Sequence, residues 1–332
     1  LISVVVVNWN RKDLLRACLA SLARQSDVIF ETIVVDNGSS DGSAAVAERE
    51  FGLQVIRNAE NRGFCAANNQ GIAAARGEFI ALLNNDAEAE PGWLAALHRA
   101  CSSRPDIGMA ASKVLVWEDP RRIDKAGHLI FPDGQNRGRG SGALDAGQFD
   151  HEEEVLWPDG CAAMYRKEML DRIGGFDEDF FAYADDAELG LRGRIAGWKC
   201  VYAPDAVVRH HRGATMGKDS APRLRLIERN RVLLAVKLFP WSLLWLNPFY
   251  FALRLAAGAL MAGRNAGDTA HFPGLRGKWS MASAILAGDL AALPLIPRML
   301  RKRAEIRRIR KLRPAEVRRL ILANRLSLRE VA

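Results

Sequence analysis

Residues 2–7, Ile-Ser-Val-Val-Val-Val, form a short β-branched run. A run of this kind with no polar alternation predicts a strand buried on both faces. Asn8-Trp9-Asn10 ends it, and Leu14, Leu15, Cys18, Leu19 and Leu22 then recur at helical spacing. A second strand, residues 31–35, stops at Asp36-Asn37-Gly38-Ser39-Ser40-Asp41-Gly42-Ser43. Polar cap candidates precede a helix over 44–51. A third strand covers 54–56, a polar loop 58–63 and a helix 66–76. The strand at 78–83 then ends abruptly in Asn84-Asn85-Asp86-Ala87-Glu88.

Strand and helix alternating at this spacing predict an α/β domain with a doubly wound, mostly parallel sheet. Three strands end in polar residues on one edge: Asn8 and Asn10, Asp36, and Asn84 with Asp86. Such sheets bind ligands outside the carboxyl ends of their strands. A carboxylate there beside phosphate suits a hard divalent cation, although Asn and Asp are also ordinary turn residues. No Gly-x-Gly-x-x-Gly opens the first helix, and no Gly-x-x-x-x-Gly-Lys-Ser/Thr occurs, which disfavours dinucleotide and P-loop chemistry.

The second half has a different pattern. Residues 233–261 are strongly apolar but interrupted by Pro240, Asn247, Pro248 and Arg254. A spanning helix wants about 20 uninterrupted apolar residues. The reading preferred here is a segment lying in a membrane interface, where Trp241, Trp245 and Tyr250 are at home. A true span and a soluble packing element are the alternatives. A second apolar run, 281–300, leads into the tail.

Charge sharpens this division. From Arg298 onward the chain holds thirteen basic and three acidic residues, a net +10 against +8 for the whole chain, leaving −2 for the rest. The positive charge is therefore local to the tail. Nucleic acid, an anionic membrane and plain solvation would each account for it. After aromatic-rich apolar helices, the membrane surface is the expected partner, through 233–332, and nucleic acid is not. The five cysteines are scattered with no Cys-x-x-Cys, which predicts a reducing compartment and no zinc site. No secretory leader is expected.

Several ordered motifs together resemble the family 2 glycosyltransferases, which have the GT-A fold. They are residues 4–10, Val34 to Gly42 (VVDNGSSDG), Asn61-Arg62-Gly63-Phe64 with Asn68-Asn69-Gln70-Gly71, and Leu82 to Asp86. They continue in Trp157-Pro158-Asp159-Gly160, Gly174-Gly175-Phe176-Asp177-Glu178 and Phe180 to Leu189 (FFAYADDAEL). His210-His211-Arg212-Gly213-Ala214-Thr215 resembles the family's His-x-x-Gly-x-Ser/Thr segment. Coverage runs over residues 2–215, with a rhamnosyltransferase-like flavour. The expected organisation is a GT-A domain over 1–220, with a nucleotide-sugar half (1–110) and an acceptor half (111–220). A helical membrane-associating extension follows over 221–332.

The resemblance implies roles residue by residue. Asp36 would accept from the ring N–H of a nucleotide base, with Asn8 and Asn10 lining the pocket. Asp41 would either cap a helix or touch the ribose. Arg62 would pair with the diphosphate or stay a solvated loop residue. Asp86 and His210 would hold Mg2+ or Mn2+, with His211 the alternative ligand. The family often has Asp-x-Asp where this chain has Asn84-Asn85-Asp86, so Asn84 would instead bind the ribose or a metal-bound water. Asp186 would be the general base and Asp185 its acidic neighbour. Trp157 would line the acceptor side and stack on a sugar ring; Trp198 would either do the same or, as is preferred here, pack in the core. The Gly- and Arg-rich run around Gly134, Gly138, Gly140 and Gly142 reads as a mobile loop or lid.

The implied function is inverting, metal-dependent transfer of a sugar, with rhamnose the first candidate. The donor would be a nucleoside-diphosphate sugar and the acceptor a saccharide or lipid-linked saccharide. The setting would be bacterial surface polysaccharide synthesis, on the inner face of the plasma membrane. The alternatives are a sugar nucleotidyltransferase, which would carry a basic Gly-rich loop after the first strand, and a non-catalytic partner that has kept the fold.

Overall fold

The valine run does become a central strand, β1 (Ile2–Asn8), with almost every side chain buried. The computed structural model describes residues 1–212, 220–263 and 274–331. It divides into two units, one of residues 1–128 and 138–215, the other of 129–137 and 216–332.

In the first unit, β1 is followed by α1 (Lys12–Ala23), β2 (Phe30–Asp36), α2 (Ser43–Phe51), β3 (Val55–Arg57), α3 (Gly63–Ala74), β4 (Phe79–Leu83) and β5 (Ala87–Ala89). Next come α4 (Trp93–Ser102), β6 (Ile107–Val116) and β7 (Ile123–Lys125). A hairpin of β8 (His128–Ile130) and β9 (Asn136–Gly138) precedes β10 (Glu153–Val155), β11 (Ala162–Arg166), α5 (Lys167–Ile173), α6 (Asp185–Ile195) and β12 (Lys199–His210). The sheet order is β10-β12-β6-β11-β4-β1-β2-β3, with β5 and β7 attached to β12 and β6. The path is mostly parallel, as the alternating pattern requires. The antiparallel exceptions on it are β11 in its middle, against both β4 and β6, and β10 at its edge, against β12. Helices can lie close because glycine faces the sheet: a Cβ on Gly71 of α3 would come 2.3 Å from Val5.

The Gly-Arg run is not a free loop. Ala126 N donates to Arg139 O at 3.0 Å, Arg139 N to Gly127 O at 2.9 Å and Gly142 N to Ile123 O at 2.9 Å. Its glycines serve close approach: a Cβ on Gly138 would sit 2.3 Å from Lys125. All five cysteines are buried and unpaired.

The second unit comprises α7 (Ala221–Leu238), α8 (Trp241–Leu244), α9 (Asn247–Gly263), α10 (Gly274–Ala292), α11 (Ile296–Ile309), α12 (Pro314–Ala323) and α13 (Leu328–Val331), together with the tip of the β8–β9 hairpin. Ser220 caps α7, its hydroxyl accepting from Arg223 N. Pro240 and Pro248 cut the apolar run 233–261 into three helices. Arg254 is not exposed to an apolar solvent; it is buried against Glu228 and Asp133. The helical stretch Gly274–Ile309 is long and apolar enough to cross a membrane by length and composition. Trp279 and Leu275 on it are 76% and 80% exposed.

Candidate active site

Register brings the strand-end residues together. β1 and β2 are parallel with Asn8 opposite Asp36. The Asn8 amide donates to Asp36 Oδ1 at 3.4 Å and to Ser39 Oγ at 3.1 Å, and its oxygen accepts from Asn85 Nδ2 at 2.7 Å. Asp36 Oδ2 accepts from Ser39 N at 3.3 Å. Asn10, in the left-handed region at φ 56°, accepts from Ser40 N at 3.0 Å. Asp36, Asn8 and Asn10 therefore form one bonded edge. Asp41 fulfils its capping alternative: its carboxylate accepts from Lys12 N at 2.8 Å and Ser43 N at 3.0 Å, at the starts of α1 and α2. Arg62 is exposed and has no acidic partner among the described residues.

Asp86 and His210 meet for a backbone reason. β5 runs antiparallel to β12, pairing Ala87 with His210, and His211 N donates to Asp86 O at 2.9 Å. The side chains follow, with His210 Nε2 3.4 Å from Asp86 Oδ1. On the other side of the ring, His210 Nδ1 lies 2.8 Å from Asp124 Oδ2. A carboxylate on one imidazole nitrogen frees the other to bind a metal, and it fixes the ring's orientation. Asp86 Oδ1 is buried without a hydrogen-bond partner. A buried anionic oxygen is unfavourable unless a cation joins it, either the protonated His210 ring or a metal. Carboxylate plus imidazole is a fitting donor set for Mn2+ or Mg2+. Asn84 is half-buried at the end of β4, its backbone N–H donating at 2.8 Å to Cys161 O just before β11. His211 stacks on Trp117 with ring centroids 4.1 Å apart. Gly213 and Thr215 of the His-containing segment lie outside the described residues.

Asp185 and Asp186 open α6 after unusual backbone. Phe181, Tyr183 and Ala184 all have positive φ (65°, 68° and 53°). Left-handed conformations at non-glycine residues are unfavourable and cluster at functional sites. They turn the chain so that Asp186 Oδ1 accepts from Ala187 N at 2.8 Å and Oδ2 from Gly160 N at 3.3 Å. His128 Nε2 stands 3.6 Å from Asp186 Oδ2 and 2.8 Å from Asp159 Oδ2. Lys125 Nζ is 2.6 Å from the same Asp159 oxygen.

Burial pushes Asp186 up; His128 pulls it down and Asp159 pushes it up again, and the balance lies above the ordinary carboxylate value. Asp185 is pushed well up by burial and then by Asp186. Burial would raise Asp159 too, but Lys125 and His128 outweigh it and hold Asp159 well below. Neighbouring carboxyls in different environments are thus driven apart, the usual mark of acid–base roles. His128, Asp159 and Asp186 are close enough to hold a cation. Lys125 already supplies a positive charge to that cluster, as the His210 ring does beside Asp86 when it is protonated.

Trp157 departs from its sequence expectation. It is fully buried and stacked on His128, centroids 6.0 Å apart, so it offers no face to a sugar. A Cβ on Gly190 of α6 would strike Trp157 at 2.2 Å, which shows how tightly the helix that begins at Asp185 is seated. Trp198 is in the core, as expected. Sequence reading missed Asp124, Lys125 and His128 altogether, and named Asp159 only as a part of the acceptor wall. The signal was present as Asp124-Lys125-Ala126-Gly127-His128, three ionisable residues in a short apolar context. Asn37 was also missed. Its amide ties Asn61, Gly63 O and Arg62 N to the end of β2.

A parallel half (β4-β1-β2-β3) joined through the antiparallel β11 to a mixed half, with acidic groups at the strand ends, is a GT-A-type glycosyltransferase fold. Two solved structures share it. A mannosyltransferase from Pyrobaculum calidifontis, in complex with GDP-Man and Mn2+, matches at TM-score 0.54 and 20% identity over 93% of this chain and 85% of that one. GalNAc-T7 with UDP, GalNAc and Mn2+ matches at TM-score 0.59 and 16% identity, over 85% of this chain and 54% of that one. The profile of glycosyl transferase family 2 matches residues 3–174, and that of glycosyl transferase family group 2 matches 147–287. The chain belongs to glycosyl transferase family 2. Among relatives, it is 31% identical to protein y4gI of Sinorhizobium fredii over 70% of its own length, but spans only 27% of that protein. It is 27% identical to the N-acetylglucosaminyl-diphospho-decaprenol L-rhamnosyltransferase of Mycobacterium tuberculosis over 76% of this chain and 88% of that enzyme.

Proposed function

We propose that the chain is an inverting glycosyltransferase that moves a sugar, with rhamnose the first candidate, from a nucleoside-diphosphate donor to a saccharide or lipid-linked acceptor. The observation that carries this reading is the proton-attracting Asp186 at the start of α6, in the same unit as the Asp86–His210 pair. Residues 1–220 are the transferase domain and 221–332 the extension. Asp36, Asn8 and Asn10 hold the base, Asp36 accepting from its ring N–H. Arg62 reaches the diphosphate with a guanidinium fork. Asn84 contacts the ribose or a water.

Asp86 and His210 would hold a divalent cation, which would supply positive charge against the departing diphosphate. Asp186, with Asp185 behind it, takes the proton from the acceptor hydroxyl. That oxygen forms its bond to the anomeric carbon as the bond to the diphosphate oxygen breaks on the opposite face. One displacement inverts the configuration. The rhamnosyltransferase relative supports a lipid-diphosphate acceptor. The exposed apolar residues and the basic tail of 233–332 support work at the inner face of the plasma membrane, in cell-envelope polysaccharide synthesis.

A thermal-shift screen of nucleotide sugars with and without Mn2+ tests the donor reading. A ligand at a hundredfold excess over its Kd stabilises by about 2.7 kcal/mol, a readable shift. The shift is expected with Mn2+ and a nucleoside diphosphate together, and is expected to vanish with chelator. No shift with any nucleoside diphosphate would sink the proposal. Asp124→Asn should weaken Mn2+ binding about 10–100-fold, because the His210 ring loses its orienting carboxylate. Unchanged Mn2+ titration in that variant would remove Asp124 from the metal site.

A further inference from the structure

Around a cavity of about 320 Å³ in the second unit stand Arg303, Arg307, Arg310, Trp241, Pro240 and Pro314. None of the three arginines has an acidic partner among the described residues. Arg303 is 6% exposed, donates to Val236 O at 3.0 Å and lies 4.5 Å from the centre of the Trp241 ring. Burial, followed by Arg310 and Arg307, pushes its guanidinium down to about 10. Arg310 Nε is buried with no hydrogen-bond partner. Three like charges, one of them inside the protein, are unfavourable unless an anion joins them. Guanidinium forks match phosphate oxygens in pairs. Trp241 on the cavity wall is exposed, and so is Trp245 one helical turn on, to 81%, its backbone N–H donating to Trp241 O. A phosphate at this cavity thus sits next to a surface suited to an apolar chain.

We infer that this cavity is a phosphate site that takes the head of an anionic membrane lipid. The inference rests on the reading of 233–332 as the membrane-facing extension and names the residues that make it specific. The tail's remaining charges act through long-range attraction, whereas Arg303, Arg307 and Arg310 grip one phosphate.

The test uses the full chain and two double variants that remove equal charge. One is Arg307→Gln/Arg310→Gln, which spares the buried Arg303. The other is Arg318→Gln/Arg319→Gln, exposed on α12 and outside the cavity. Co-sedimentation is measured with phosphatidylcholine vesicles, with and without phosphatidylglycerol, and thermal midpoints are read with and without inorganic pyrophosphate in EDTA, which silences the metal-dependent donor site. The cavity variant should lose at least tenfold in affinity for phosphatidylglycerol vesicles and lose the pyrophosphate shift. The α12 variant should lose far less and keep the shift. Equal losses in both variants would overturn the site while leaving membrane attachment standing. A wild-type chain that ignores all vesicles, yet shows a pyrophosphate shift that the cavity variant lacks, would overturn the lipid source and assign the cavity to a free phosphate compound. No vesicle binding and no pyrophosphate shift would overturn both.

Discussion

Asp186→Asn is expected to lower kcat by about 10²–10⁴-fold, the contribution of a positioned general base, while nucleoside-diphosphate affinity stays almost unchanged. The amide keeps the shape and still accepts from Ala187 N, so α6 keeps its start. What it loses is the ability to take the acceptor's proton. The pH profile adds a second reading. Burial holds Asp186 above the ordinary carboxylate value, and the base acts only when ionised. kcat/KM should therefore fall as pH is lowered through a pKa above about 3.9, the ordinary Asp value. Normal turnover by Asp186→Asn would refute the assignment, as would an acidic limb confined to the ordinary carboxylate range.

Glu228→Ala is expected to destabilise the second unit by about 3–5 kcal/mol, the usual consequence of removing one partner from a buried ion pair. Glu228 is fully buried in α7 and accepts from Arg254 Nη1 at 2.8 Å and Nη2 at 2.7 Å. Arg231 Nε also donates to it at 2.8 Å. Asp133 at the hairpin tip takes the third face of Arg254 at 2.6 Å, and Asp289 of α10 takes Arg231 at 2.6 Å. Alanine leaves two buried guanidiniums short of the carboxylate they share, where α10 approaches so closely that a Cβ on Gly288 would lie 2.7 Å from Glu228. Burial would raise Glu228, but Arg254 and Arg231 outweigh it and keep its pKa low. Its contribution is thus complete above the unfolded value of about 4.3 and lost as pH falls through the lower folded value. Denaturant titration at neutral pH should show the full gap between wild type and variant, and the gap should narrow in strong acid. Superimposable curves at neutral pH would mean that the network adds nothing to stability.

The first half of the sheet was legible because its central strands β1 and β4 are buried on both faces and β2 is buried at its polar end. Such strands read as solid apolar runs, and β1, β2 and β4 stop where the polar residues begin. The boundaries of α2 and α3 moved by a few residues. Gly63 shows why: α3 starts at this glycine with φ 85°, and a Cβ there would strike Phe181 at 2.4 Å. That constraint comes from a residue more than a hundred positions away. The glycine run near 140 was misread for a related reason. Glycines that allow two chains to touch look in sequence like glycines that keep a loop loose.

By itself the sequence determined the alternation of strands and helices, the polar strand ends at Asn8, Asp36 and Asp86, the acidic pair Asp185–Asp186, and the separation of an apolar, basic tail from a domain of slightly negative charge. These are local properties, carried by residue type and spacing. Only the tertiary structure decided that Asp124 stands behind His210, that Lys125 and His128 set the charge around Asp159 and Asp186, and that Trp157 is walled in. Each of these joins residues from strands and turns distant in the chain. The sheet register that aligns β5 with β12, and β7 with β6, is fixed by packing over the whole domain. A carboxylate's neighbours, and so the ease with which it holds a proton or a metal, follow from that register and are not written in the residues beside it.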